Sequence, residues 1–148
     1  NSPEIYFGAA RNDRLGNGQQ NLTGEQTFAF PSERKPNVLY LDGTWNITNE
    51  YAENVSSAKI AFRYQAKAMY MVAGADGPRK ITVLRNGQPW KEFIIEEETL
   101  YPIVEGDVFE DDLIIALIDL YDNASFFLAD RIQYNDIEGI IKVLLIPD

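Results

Sequence analysis

A mostly antiparallel β-sandwich is the fold class that this chain predicts, and three observations carry the prediction. Short apolar runs, many of them alternating with period two, recur along the chain with turn residues between them. No stretch of convincing length carries the 3.6-residue period of a helix. Asn86-Gly87, set between Ile81 to Arg85 and a following apolar run, is a strong short-range hairpin signal.

The chain has 148 residues, about one domain's worth, enough to bury roughly two-thirds of its extended surface. We expect a single domain over 1–148, with 1–24 as an irregular arm and 107–148 as an acidic closing segment. The first residue is Asn and no signal-peptide pattern follows, so a processed product or a fragment of a longer protein is expected. No run approaches 18 apolar residues, the length that would suggest a membrane-spanning helix.

Asn1 to Gly24 is polar apart from Ile5-Tyr6-Phe7, which should pin Tyr6 or Phe7 onto the sandwich. Gln26 to Phe30 reads as an outer strand stopped by Pro31. Val38 to Leu41 is a strand ending in a turn at Asp42-Gly43, and Thr44 to Thr48 follows with Trp45 and Ile47 on one face. Asn49 to Ser57 is polar. From Ala58, Ile60, Phe62 and Tyr64 alternate with Ala61, Arg63 and Gln65. Ala68 to Ala73 and Ile81 to Arg85 complete what reads as a three-stranded meander. Phe93 to Glu96 and Leu100 to Val104 are further strands. Leu113 to Leu120 could be a helix face or a buried strand, and its isoleucines favour strand. Ala124 to Ala129 and Ile140 to Ile146 read as the last two strands.

Charge and residue inventory restrict the chemistry. Net charge is −10, but residues 1–90 carry ten Lys/Arg against eight Asp/Glu, and residues 91–148 carry three against fifteen. An acidic second half repels phosphate backbones, so no nucleic-acid partner is expected. With no cysteine and no histidine, the chain has no thiol chemistry, no Ser-His-Asp triad and no ordinary zinc site. Carboxylates remain, as Glu96-Glu97-Glu98 and Glu110-Asp111-Asp112. Three consecutive acids on a strand alternate faces, and the spacing carries no glycosidase signature, so a solvated rim is the simpler reading. Neither cluster has the pattern of a calcium loop; no cofactor is expected, with a structural calcium ion as the alternative.

Aromatic faces suit the C–H-rich faces of sugars. Trp45 and Tyr64 are in phase with apolar neighbours and belong to the core. Trp90, between Pro89 and Lys91 just past the hairpin turn, should be half exposed. Trp90, Tyr70, Tyr101 and Arg63 are the candidate ligand contacts; no catalytic or metal residue is assigned. Asn-x-Ser/Thr triplets at Asn21, Asn46, Asn54 and Asn123 are read as Asn-rich turns.

The order of motifs adds a resemblance. Ser2-Pro3-Glu4-Ile5-Tyr6-Phe7-Gly8 resembles the TPE-x-Y-x-G opening of a module that follows the thioredoxin-like domain in bacterial thiol–disulfide oxidoreductases of the cytochrome c biogenesis type. Gln26-Thr27-Phe28 with Pro31, Leu41-Asp42-Gly43-Thr44-Trp45, Phe62 with Ala66, Met69-Tyr70-Met71-Val72, Val83, Asn86-Gly87 with Pro89, and Leu100-Tyr101 follow in the family's order, covering about residues 2–105. Arg131 to Asp148 is extra to that pattern. The resemblance implies a jelly-roll, galactose-binding-like sandwich similar to carbohydrate-binding modules. It further implies a non-catalytic accessory module on the extracytoplasmic or periplasmic side of a bacterial envelope, with a carbohydrate or the neighbouring thioredoxin-like domain as partner. Two alternatives stand beside it: a glycan-active enzyme working through carboxylates, and a purely structural interaction domain docking through its acidic half.

Overall fold

The computed structural model describes residues 4–75 and 77–118, and the strand segments 126–127 and 140–144. Among these residues the fold is all-β, with eleven strands and no helix. The strands are β1 (Glu4–Ile5), β2 (Gly24–Phe28), β3 (Leu39–Ile47), β4 (Ala52–Ala66), β5 (Ala68–Ala75), β6 (Arg79–Arg85), β7 (Gln88–Ile95), β8 (Thr99–Val104), β9 (Glu110–Ile118), β10 (Phe126–Phe127) and β11 (Ile140–Leu144). The larger layer has the order β2-β3-β4-β9-β6-β7 and is antiparallel throughout. The smaller layer has the order β1-β11-β5-β8; its β1–β11 and β11–β5 pairs are parallel and β5–β8 is antiparallel. β10 pairs with both β4 and β5 and so joins the layers.

Period-two patterning places the core between the layers. Ile60, Phe62 and Tyr64 of β4 meet Ile114 and Ala116 of β9 and Val83 of β6 on one side, with Met69, Met71 and Ile103 facing them, all 5 % exposed or less. Trp45 is fully buried and donates its indole N–H to Asp42 O at 3.0 Å, so the polar atom is satisfied. Leu113 to Leu120 is a strand as far as it is described: β9 sits centrally between β4 and β6. The arm is held as expected through Phe7, 1 % exposed, and also through Ile5 and Leu15. Asn17 staples it to β3, donating to Leu41 O at 2.8 Å and accepting from Leu41 N–H at 3.1 Å.

Three expectations need correction. Strands β4, β5 and β6 do not form a meander. β4 and β6 lie in the larger layer and β5 in the smaller, so the chain crosses over and back. Only Lys67 separates β4 from β5. A two-residue turn is the commonest hairpin connection, and one residue leaves the chain to bend into the opposite layer. Asp42-Gly43 is a bulge, not a turn: β3 runs on through it, paired with β4 on both sides. Gly43 takes φ +85°, and Ser57 opposite takes φ 52°. Finally, the polar stretch before Ala58 is already strand, because β4 begins at Ala52.

Candidate functional site at the mouth of the sandwich

The β6–β7 hairpin builds this site. Arg85 pairs with Gln88 across a two-residue turn whose central residues, Asn86 (φ 51°) and Gly87 (φ 80°), are both left-handed, the type I′ geometry that Asn-Gly favours. Pairing then jumps from Val83↔Lys91 to Leu84↔Pro89, leaving Trp90 as the extra residue of a bulge. Bulges re-aim side chains. Here the indole N–H reaches Ile103 O on β8, in the opposite layer, at 2.8 Å. Beside it Lys91 Nζ donates to Pro102 O at 2.8 Å. Trp90 stays 45 % exposed.

Behind Trp90 stands a polar group at the end of the core. The Arg85 guanidinium lies 4.5 Å from the Trp90 ring centroid. It donates to Asp112 Oδ2 at 2.8 Å from Nε and 2.7 Å from Nη2, and from Nη2 to the Tyr64 hydroxyl at 3.0 Å. Asn86 donates to Asp112 Oδ1 at 2.7 Å, while its own Oδ1 accepts from Leu113 N–H at 2.8 Å, so the hairpin tip is fastened to β9. The Asn86 hydrogen bond, aided by Arg85 and opposed by burial, holds the Asp112 carboxyl below the usual carboxylate range. Burial pushes the Tyr64 hydroxyl up to about 12, with Asp112 adding and Arg85 opposing. Burial works against the Arg85 charge, but Asp112, Tyr64 and Glu110 together outweigh it and its pKa is raised.

The four sequence candidates do not share one surface. Arg63, Tyr70 and Trp90 all lie towards the β6–β7 hairpin end, but they point in different directions. Arg63 alternates with core residues Phe62 and Tyr64, and so sits on the outer face of the larger layer. There it binds both oxygens of Asp111, at 2.8 and 2.9 Å. Tyr70 alternates with core residues Met69 and Met71 on the smaller layer and donates to Glu105 at 3.1 Å. Burial, then Glu105, raises its pKa. Tyr101 is occupied at the other end, donating to Glu97 O at 2.6 Å and accepting from Glu96 N–H at 3.1 Å. Trp90 alone lies at the mouth between the layers.

The acids alternate as expected: Asp111 faces out and Asp112 in. Asp111 is held below its usual range by hydrogen bonds from Arg63 and Gln65. Among the described residues no group of three or more acids is placed to hold a metal ion. Of the Asn-x-Ser/Thr triplets, Asn21 occupies a left-handed position (φ 59°), Asn46 and Asn54 lie in strands, and Asn123 is outside the described residues. Sequence reasoning missed Arg85, Asn86 and Asp112 as a unit. The Asn-Gly turn marks two of them, but nothing local points to Asp112, 26 residues beyond Asn86.

The sequence profile of the thioredoxin-like C-terminal domain family matches residues 2–119. The chain belongs to that family. The match runs through β9, beyond the 2–105 that the motifs suggested, so this thioredoxin-like C-terminal domain includes the central strand of its larger layer. No curated protein sequence matches the chain. Among solved structures, an active-site mutant of a family two carbohydrate esterase from Clostridium thermocellum is 10 % identical with a TM-score of 0.53, covering 65 % of this chain and 30 % of that one. A second structure of such an esterase, in complex with cellohexaose, is 9 % identical with a TM-score of 0.48, covering 55 % and 26 %. The chain therefore spans less than a third of either structure's length. At such identity the likeness to the first of these bears on the fold alone.

Proposed function

We propose that this thioredoxin-like C-terminal domain is a non-catalytic accessory module that binds a glycan chain on Trp90. Its parent, in this reading, is an extracytoplasmic thiol–disulfide oxidoreductase of the cytochrome c biogenesis type. The observation that carries the reading is the fixed indole. Trp90 is half exposed, yet Arg85 backs it and Ile103 O holds its N–H. A platform immobilised before binding loses little rotamer entropy when a sugar stacks on it. The polar groups behind it are bonded to one another, which supports stacking over chemistry. The paired carboxylates of β9, Asp112 behind the mouth and Asp111 on the outer face, also support an accessory role. A glycosidase general acid needs a raised pKa, and Asp111 and Asp112 are both lowered.

The test is a calorimetric titration of the chain with an oligosaccharide panel that begins with cellohexaose. At least one member should bind saturably, and Trp90→Ala should weaken it tenfold or more, about 1.4 kcal/mol. Retained affinity in a folded Trp90→Ala variant would overturn the assignment.

A second observation supports packing on the redox domain. On the outer face of the larger layer Ile115, Leu84 and Pro89 follow one another in register across three strands and stay partly exposed, next to Tyr40 and Ala61, which the chain itself already buries. Arg63–Asp111 and Lys80–Glu92 ion pairs lie on the same face. The row is aliphatic at its centre, which suits a protein surface better than a sugar. Replacing Ile115 by Lys should weaken co-purification with a separately expressed thioredoxin-like domain and leave glycan titrations unchanged.

A further inference from the structure

We infer that the N-terminal arm forms a second binding site, independent of Trp90, for a small neutral saccharide or polyol. Between β1 and the loop that follows it lies a cleft of about 550 Å³, within the size range of small-molecule sites. Glu4, Tyr6, Arg11, Asp13, Arg14 and Asn21 line it, with Ala10 beside them. None of these residues takes part in the mouth around Trp90.

The lining selects the ligand class. Two arginines and two acids cancel, so neither an anion nor a cation is favoured by net charge. Six of the seven lining residues end in a polar or charged group, which disfavours a greasy ligand. Guanidinium, carboxylate and amide groups are planar and present paired donors or acceptors, a match for neighbouring hydroxyls. The Tyr6 ring and the Ala10 methyl supply apolar contact for a C–H face.

The cleft is built, not merely open. Tyr6 donates to Glu4, and Arg11 lies 5.1 Å from the Tyr6 ring centroid. Asn21, at φ 59°, donates to Ala9 O at 2.8 Å, and its N–H donates to Asn12 Oδ1 at 2.8 Å. Asp13 and Arg14 have no side-chain partner among the described residues, so their groups are available. Asn12, flanked in sequence by lining residues and bonded to Asn21, is 1 % exposed and leaves its Nδ2 without an acceptor.

The test is a titration of the full 148-residue chain with glucose and cellobiose, followed through backbone amide shifts. Saturable shifts at Ala10 to Arg14 and Asn21 are expected, with a Kd on the order of 1 mM. Asp13→Asn and Arg14→Ala, both surface changes, should each weaken binding about tenfold. No arm shift at sugar concentrations well above that Kd would overturn the site. So would tighter binding of glucuronate than of glucose, because it would mark an anion site. Shifts at the Trp90 indole alone would overturn this site and leave the mouth proposal standing; shifts in the arm alone would support this site and count against the mouth.

Discussion

Asp112 sits where the core of the larger layer would otherwise continue. It pairs in register with Tyr64 and shares its face with Ile114 and Ala116, so its charge must be matched locally, and Arg85, Asn86 and Tyr64 do so. The consequence is a pH dependence of known sign. A carboxyl whose folded pKa is depressed adds stability that is complete above its unfolded value near 4 and is lost as pH falls through the folded value. Urea unfolding of the wild type should therefore weaken in acid more steeply than that of Asp112→Asn, which should be less stable near neutrality. Equal acid slopes in the two proteins would count against the pairing. Tyr64 has the opposite sense. Its folded pKa, about 12, lies above the ordinary tyrosine value of 10.0, so its contribution is complete below pH 10 and fades as pH rises towards 12. Tyr64→Phe should flatten the stability profile across that alkaline window.

Two glycines separate backbone conformation from packing at the level of the elements. Gly87 and Gly43 both hold positive φ, at 80° and 85°. A Cβ on Gly87 would meet nothing within 4 Å, whereas one on Gly43 would lie 2.2 Å from Ser57 O. Gly87→Ala should cost about 1 kcal/mol, the left-handed penalty alone. Gly43→Ala should cost that and several kcal/mol more, because the rigid backbone of β4 must give way. Urea midpoints compared at unchanged m-values would check both. The same residues show what was legible. Asn86-Gly87 is a turn in which both positions need φ > 0, and the dipeptide announces it. Asp42-Gly43 looks alike on paper, but the runs on either side of it both pair with β4 and not with each other, and only β4 reveals a bulge. Alternation in Ile60, Phe62 and Tyr64 identified the inner face of β4 correctly. It could not say which strands lie beside β4, because a period of two reports on faces and not on partners.

The uneven charge of the whole chain is in part an internal arrangement. Arg63 and Arg85 of the basic first part meet Asp111 and Asp112 of the acidic second part, and Lys80 meets Glu92. Sequence position exaggerates the polarity because β9 inserts between β4 and β6. That insertion is a long-range pairing that composition cannot express. For the same reason Arg85, Asn86 and Asp112 could not be read together, whereas Trp90 could, since its exposure follows from a local turn. The closing strands act over equal distances. β11 lies between β1 and β5, so cutting the chain after Ile118 would expose an edge of β5 and leave β1 unpaired. Such a truncation should lower the thermal midpoint and promote association through the bared edge, measurable by calorimetry and light scattering. A truncated chain that melts as the full one does would show that β11 adds nothing.

The most direct measurement of the central claim is the shift of the two indole N–H resonances during titration with cellohexaose and the oligosaccharide panel. Trp45 is buried and bonded to Asp42 O, and Trp90 is half exposed at the mouth, so the two signals report on core and platform separately. A glycan on the platform moves the Trp90 resonance saturably and leaves Trp45 in place. If Trp90 stays fixed across the whole panel, or only Trp45 moves, the mouth of this sandwich is not a glycan site.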